Sequence, residues 1–213
     1  MTDHVAVRAV PERSRWPERV TLRDGSEVEI RPIRPTDKKR LRDGFARLSA
    51  ESRQRRFLVP TPRLSARLVR YLTEVDHHDH EALGALGADT GEPVGIARYV
   101  RSDAAADAAE VAVAVVDEWQ RRGVATALLR RLAERAREEG ITRFTATCLA
   151  DNDEALELLD ELGAARTTTT ESGLVEARIE LPATDESALS RVLRTAAARR
   201  LAFTPLRTRA GGG

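Results

Sequence analysis

A chain of 213 residues, 41% of them hydrophobic, has room for one packed α/β domain with tails, or two small domains at most. Its formal net charge of +1 removes any general electrostatic case for a nucleic-acid binder, and its single cysteine, Cys148, excludes an internal disulfide and a cysteine-based metal site. No stretch approaches the roughly 20 apolar residues of a membrane helix, and no apolar run follows a basic start as in a secretory signal, so a reducing cytoplasm is the expected setting. Arginine dominates the basic residues, with Lys38 and Lys39 the only lysines, which points to a GC-rich bacterial genome more than to a physical need.

In chain order, residues 1–19 mix Pro, Arg and Glu without periodicity and read as a mobile leader. Residues 20–33 read as a hairpin turning through Asp24-Gly25, because glycine takes positive φ freely. Thr36 is the expected cap of a helix striped by Leu41, Phe45 and Leu48, and Ser49 caps a second helix through Phe57. Pro60 and Pro62 break that helix, and Leu64, Leu68, Tyr71, Leu72 and Val75 mark a third. Strands near 81–88 and 93–99 follow, joined through Thr90-Gly91. Residues 102–109 are small and polar and read as a loop.

A strand is expected over 110–116 and a long helix over 123–139, with Leu128, Leu132 and Ala136 on its apolar stripe and Gly140 ending it in the left-handed conformation. Residues 141–149 read as a strand, and 152–162 as a helix closed by Gly163. Residues 174–181 alternate cleanly, with Val175, Ala177, Ile179 and Leu181 on one face and charged residues on the other, as in an antiparallel strand with one wet face. From Ser187 the tail has no acidic residue and carries six arginines. It suits nucleic acid, a membrane surface or an acidic protein. The favoured reading is a helix packing its Leu189, Val192 and Leu193 stripe on the domain.

Chemistry concentrates where the strand 110–116 turns through Gln120-Arg121-Arg122-Gly123-Val124-Ala125 into the long helix. The first N–H groups of a helix have no internal partner and carry partial positive charge. Gly123 and Ala125 let a diphosphate approach the backbone, Thr126 adds a hydroxyl, and Arg121 and Arg122 add charge-assisted contacts. A P-loop and the three-glycine dinucleotide turn are both absent.

The run Gln-Arg-Arg-Gly-Val-Ala-Thr over 120–126 resembles the Q/R-x-x-G-x-G/A motif of the GNAT family of N-acetyltransferases. Asn152-x-x-Ala155-x-x-Leu158, ending at Gly163, resembles that family's next motif. Within the family, the segments LRDGSEVEIRPIRPTD (22–37), RYLTEVDHHDH (70–80) and AEVAVAV (109–115) are most similar to bacterial protein lysine acetyltransferases. There a like domain is fused to a cyclic-nucleotide-binding or acyl-CoA-synthetase-like domain; this sequence carries no such partner, so cyclic-nucleotide control is not implied. The resemblance implies an α/β (α+β) fold over 20–182, with a mixed, mostly antiparallel sheet flanked by helices and splayed open at the acetyl-CoA site. Residues 183–213 then form a basic extension. It further implies that backbone atoms of Val113, Ala114 and Val115 pair with the pantetheine arm, that Arg121, Arg122, Gly123, Val124, Ala125 and Thr126 hold the pyrophosphate, with Gln120 also among the cofactor-binding residues, and that Asn152 contacts the pantetheine region. No metal is implied. A monomer or homodimer is expected.

Glu110 opens the strand before the turn and shares a face with Ala112 and Ala114, opposite Val111, Val113 and Val115; a bulge would disturb that parity. The resemblance places the catalytic glutamate at this position. Lysine, with a pKa near 10.4, needs a base before it attacks. The structural alternative is a surface glutamate at a strand end. The family's tyrosine acid matches Leu159 here, so the departing thiolate leaves unaided. A ping-pong route through Cys148 competes with a buried core thiol. The Asp76–His80 cluster could bind zinc, but a place on the acceptor side of the cleft fits its helix–strand junction better. The leading reading is direct transfer from acetyl-CoA to a protein lysine. Acetylation of an antibiotic or polyamine, or acyl-CoA sensing without catalysis, are the alternatives.

Overall fold

The computed structural model describes residues 16–162, 165–169 and 173–181. Most of the leader, Gly163 and the arginine-rich tail lie outside them. The chain opens with β1 (Glu18–Thr21) and β2 (Glu27–Pro32). Their connection differs from the two-residue turn expected. Leu22 N–H donates to Ser26 O at 2.8 Å and Gly25 N–H to Leu22 O at 3.1 Å. The loop is therefore Arg23-Asp24-Gly25, and Gly25, at φ 83°, fills the left-handed position that a three-residue hairpin requires.

A 3-10 turn, Pro35–Asp37, leads into α1 (Lys38–Ala46). Thr36 lies inside this turn instead of capping the helix. The carboxylate of Asp37 organises the entry instead, accepting Arg34 N–H at 2.8 Å and gripping the Arg31 guanidinium at 2.6 and 2.8 Å. In α2 (Ala50–Phe57) the Ser49 hydroxyl accepts Ser52 N–H at 3.1 Å, the expected cap. Ser65 does the same for α3 (Ala66–Thr73). Val69 and Leu72 of α3 are buried while Tyr71 is exposed.

Then come β3 (His80–Gly87), β4 (Pro93–Ser102), β5 (Ala105–Val115), a 3-10 turn (Asp117–Trp119), α4 (Val124–Glu138), β6 (Arg143–Leu149), α5 (Asp153–Glu161), β7 (Ala165–Thr169) and β8 (Leu174–Glu180). β5 begins five residues before Glu110, so most of the expected loop over 102–109 is strand. The eight strands form one sheet in the order β1-β2-β3-β4-β5-β6-β8-β7. Every pairing is antiparallel except β5 with β6.

α4 lies on one sheet face, burying Val124, Leu128, Leu132 and Ala136. It presses close because Gly95 of β4 has no side chain: a Cβ there would sit 2.9 Å from Val124 Cγ1. Residue parity puts Ile96 and Arg98 on the other face, where α1 and α3 pack; Arg98 donates to the Leu72 carbonyl of α3 at 3.0 Å. Gly140 ends α4 at φ 76°, and β8 buries Val175, Ala177 and Ile179 while exposing Glu176, Arg178 and Glu180, both as the sequence pattern indicates. Among the described residues, no helix is long and apolar enough to cross a membrane.

Candidate active site

The parallel pair is where the sheet opens. β5 and β6 are in register only at Ala108↔Arg143, Ala109↔Phe144 and Glu110↔Thr145. Beyond that point β5 stays with β4 as far as Val115, and β6 stays with β8 as far as Leu149. The two strands fork at Glu110. Val116 N–H donates to Val94 O at 3.0 Å, so by alternation the backbone polar groups of Val113 and Val115 turn away from β4 and into the fork. The Val115 carbonyl accepts from Gln120 Nε2, and an extended chain lying there meets an edge that offers the backbone groups of Val113 and the Val115 N–H.

That edge forms one wall of a cleft of about 320 Å³. It is lined by Val113, Ala114 and Val115, by Gln120, Arg121 and Gly123, by Val124, Ala125 and Thr126, and by Asn152. Gly123 caps α4 at φ 99°, and Arg121 also takes positive φ, at 61°. Gly123 offers no side chain to the helix end, and the first N–H bonded within the helix is that of Ala127, to Gly123 O. The amides of Val124, Ala125 and Thr126 are therefore left for a ligand, at the positive end of a 15-residue helix. Asn152 Oδ1 caps α5 by accepting Ala155 N–H at 3.2 Å, which leaves its NH2 group as the donor available to the cleft.

Gln120 acts mostly as a brace, its Nε2 reaching Ser52 Oγ, Asp117 Oδ1 and Val115 O at 3.1 to 3.2 Å. Arg122 is the one expected cofactor residue outside the lining. Its guanidinium lies 4.9 Å from the Trp119 ring and 3.6 Å from Asp24, because the left-handed residues on either side reverse its direction. Three cations that sequence reasoning missed take its place: Arg23 from the β1–β2 turn, and Arg55 and Arg56 from α2. The first two are held by glutamates of α5, Arg23 to Glu161 at 3.0 Å and Arg55 to Glu154 at 3.4 Å.

Glu110 is exposed and stands at the fork. The register from Arg101↔Ala109 to Gly95↔Val115 is unbroken, so its parity holds: Glu110, Ala112 and Ala114 point to the face of α1 and α3. The Arg56 guanidinium is within electrostatic range of it. A second, mostly apolar cavity of about 80 Å³ lies on this face and adjoins the cleft through Leu48, Arg56 and Ala114. Arg98 lines it, buried in the middle of β4. A lone charge inside the apolar run Gly-Ile-Ala-Arg-Tyr-Val was the sequence signal that could have drawn attention to it.

The three imidazoles of the His-rich run diverge. His77 Nδ1 lies 2.7 Å from the buried Glu81, which also holds Arg135 at 3.3 Å. His78 meets Glu139. His80 Nε2 accepts from Arg98 at 2.8 Å, and its ring lies 5.0 Å from Tyr71. Burial, and then Arg98, push His80 down to about 4, so it is neutral near pH 7. Its place beside Arg98 and Tyr71 puts it on the same sheet face as Glu110. Cys148 is buried opposite Val175, and Leu159 is buried as well.

A family described as the acetyltransferase (GNAT) family matches residues 47–164. The chain belongs to the GNAT family. Its matched segment runs from the end of α1 past α5 and so contains the fork, the α4 turn and Glu110. This GNAT chain is 34% identical over 166 residues to the acetyltransferase Pat of Mycolicibacterium smegmatis, a match covering 78% of the chain and 49% of the relative. It is also 34% identical over 157 residues to an acetyltransferase of Pseudomonas aeruginosa, covering 73% and 83%. The crystal structure of the GNAT domain of S. lividans PAT is similar at a TM-score of 0.74 and 38% identity, covering 78% of this chain and 98% of that one. A cAMP-binding acyltransferase from Mycobacterium smegmatis matches at 0.57 and 28%, over 83% of this chain and 52% of its own. The chain thus spans about half the length of these mycobacterial proteins.

Proposed function

We propose that the chain is an N-acetyltransferase that moves acetyl from acetyl-CoA directly to the side-chain amine of a protein lysine. The single observation that carries this reading is the fork itself: an open strand edge and a bare helix N-terminus share one cleft, and the Glu110 carboxylate stands where the two strands part. Acetyl-CoA supplies a thioester whose carbonyl carbon accepts the amine and whose thiolate departs. The amides of Val124, Ala125 and Thr126 suit a diphosphate, with Arg121, Arg23 and Arg55 adding charge. The backbone of Val113 and Val115 suits an amide-bearing arm by strand-like pairing, and a β5 N–H facing the fork stabilises charge on the carbonyl oxygen.

Glu110 takes the proton that the amine nitrogen loses as its bond to carbon forms. The departing thiolate needs little help, since a free thiol has a pKa near 8.5. Arg56 and Arg98 on the same face disfavour a protonated amine and favour the neutral nucleophile. They also count against a polycationic acceptor such as a polyamine or aminoglycoside. The resemblance of segments 22–37, 70–80 and 109–115 to protein lysine acetyltransferases supports the lysine acceptor.

Glu110→Gln tests the assignment. The variant should bind acetyl-CoA as the parent does, while acetyl transfer to a lysine protein, followed by thiol release, falls about 10²- to 10⁴-fold. A variant that turns over at the parent rate removes Glu110 from the chemistry.

A further inference from the structure

Arg98 and Arg135 are the two fully buried arginines among the described residues, and the chain treats them differently. Arg135 is neutralised by Glu81 at 3.3 Å and Glu139 at 3.2 Å. Arg31, largely buried, is likewise matched by Asp37 at 2.6 Å. The hydrogen-bond partners of Arg98 are neutral: the His80 ring at 2.8 Å and the Leu72 carbonyl at 3.0 Å. None of the ion pairs among the described residues includes Arg98 or Arg56. The two guanidiniums repel one another, and burial pushes Arg98 down to about 9. Removing a cation from water without an anion costs several kcal/mol. The fold matches Arg135 and Arg31 with carboxylates, yet it keeps the buried Arg98 and the half-buried Arg56 together on the wall of a cavity with no salt-bridge partner between them among the described residues, Glu110 being the one carboxylate whose field reaches Arg56.

The cavity limits what completes the charge. Its other charged lining, Arg31, Asp37 and Arg40, is already paired among itself, and the rest is mainly apolar, including Leu48, Phe57, Leu72 and Ile96. At about 80 Å³ it holds a handful of water-sized groups, each of which needs roughly 10 to 15 Å³ of such space. That suits a carboxylate on a short apolar stem and is too small for a nucleotide.

We propose that Arg56 and Arg98 form a carboxylate-binding subsite on the acceptor face of the fork, taking an acid group carried on a short apolar stem. The inference rests on the acyltransferase reading of the cleft. Two substrates carry such a group to this point. One is the far end of a dicarboxylic acyl chain on the coenzyme donor. The other is an Asp or Glu side chain next to the acceptor lysine. Planar guanidinium matches carboxylate in either case.

Two experimental arms distinguish the sources. In the first, calorimetry on the full chain compares acetyl-, butyryl- and succinyl-CoA, the last two differing chiefly in the terminal acid. In the second, acetyl-CoA turnover is measured on lysine peptides flanked by Asp or Glu and on the same peptides with Asn or Gln. The charged member should be favoured by about tenfold in one arm, the worth of a charge-assisted hydrogen bond. That preference should vanish in Arg56→Met and return in part in Arg56→Lys. Arg98→Met, with folding checked by circular dichroism, gives a second readout. Equal values in both arms for the parent, or a preference that survives in Arg56→Met, overturn the subsite. Absence of acetyl-CoA binding in the same calorimetry contradicts the function itself, so the two failures are separate.

Discussion

Asp37 shows how a single carboxylate sets a local structure. It is almost fully buried and faces Arg31 and the Arg34 amide. The Arg31 guanidinium, first among several causes, holds its carboxyl below the usual range. Because the folded group is the more acidic one, its contribution to stability is complete above the unfolded value of about 3.9 and is lost as pH falls through the lower folded value. Asp37→Ala should cost about 3 kcal/mol at pH 7, the usual result of leaving a buried charge without its partner. The cost should shrink once the parent itself is protonated. Urea unfolding at pH 7 and near pH 3 measures both; an equal cost at the two pH values contradicts the pairing. This role was not legible locally. By residue type Asp37 is at least as good a cap as Thr36, and what fixes its carboxylate is the Arg31 guanidinium arriving from the neighbouring strand β2.

At the scale of elements, the pitch of α4 decides where its bare amides lie. Gly95→Ala places a methyl 2.9 Å from Val124 Cγ1 and 3.1 Å from Leu128 Cδ1. Overpacking of this kind costs about 1 to 3 kcal/mol, and it acts on the first turn of the helix. Both melting temperature and acetyl-CoA affinity should fall. A lower melting temperature with unchanged affinity in calorimetry separates the helix position from the cleft. The α4 turn, the Ser49 cap and the alternation of β8 were readable because each is written in consecutive residues. The start of β5 was not. Ala105–Ala109 is alanine-rich with an aspartate, a composition with little strand preference, and it is strand because β4 on one side and β6 on the other pair with it. The three-residue loop after β1 escaped for a related reason: Leu22 and Ser26 extend the ladder by one pair, which Asp24-Gly25 alone does not signal.

For the whole molecule, the central feature is one parallel pairing in an otherwise antiparallel sheet. Parallel strands joined through a helix diverge easily once their pairing stops, and the stop at Glu110↔Thr145 opens the cleft on one face and presents the carboxylate on the other. The sequence pattern singled out most of the residues that line the cleft, because their motif is contiguous. The face that carries Glu110 is assembled from α2, α3, β3 and β4, whose residues come together only through packing, so Arg56 gave no sequence signal and Arg98 showed only as a lone charge in an apolar run. Titration of the folded chain with acetyl-CoA by calorimetry, with a parallel melt, tests the account most directly. One saturable site is predicted. At a ligand concentration near 100 Kd, stabilisation of about 2.7 kcal/mol should raise Tm by roughly 5 to 10 °C. No heat and no shift in Tm at excess acetyl-CoA would contradict it.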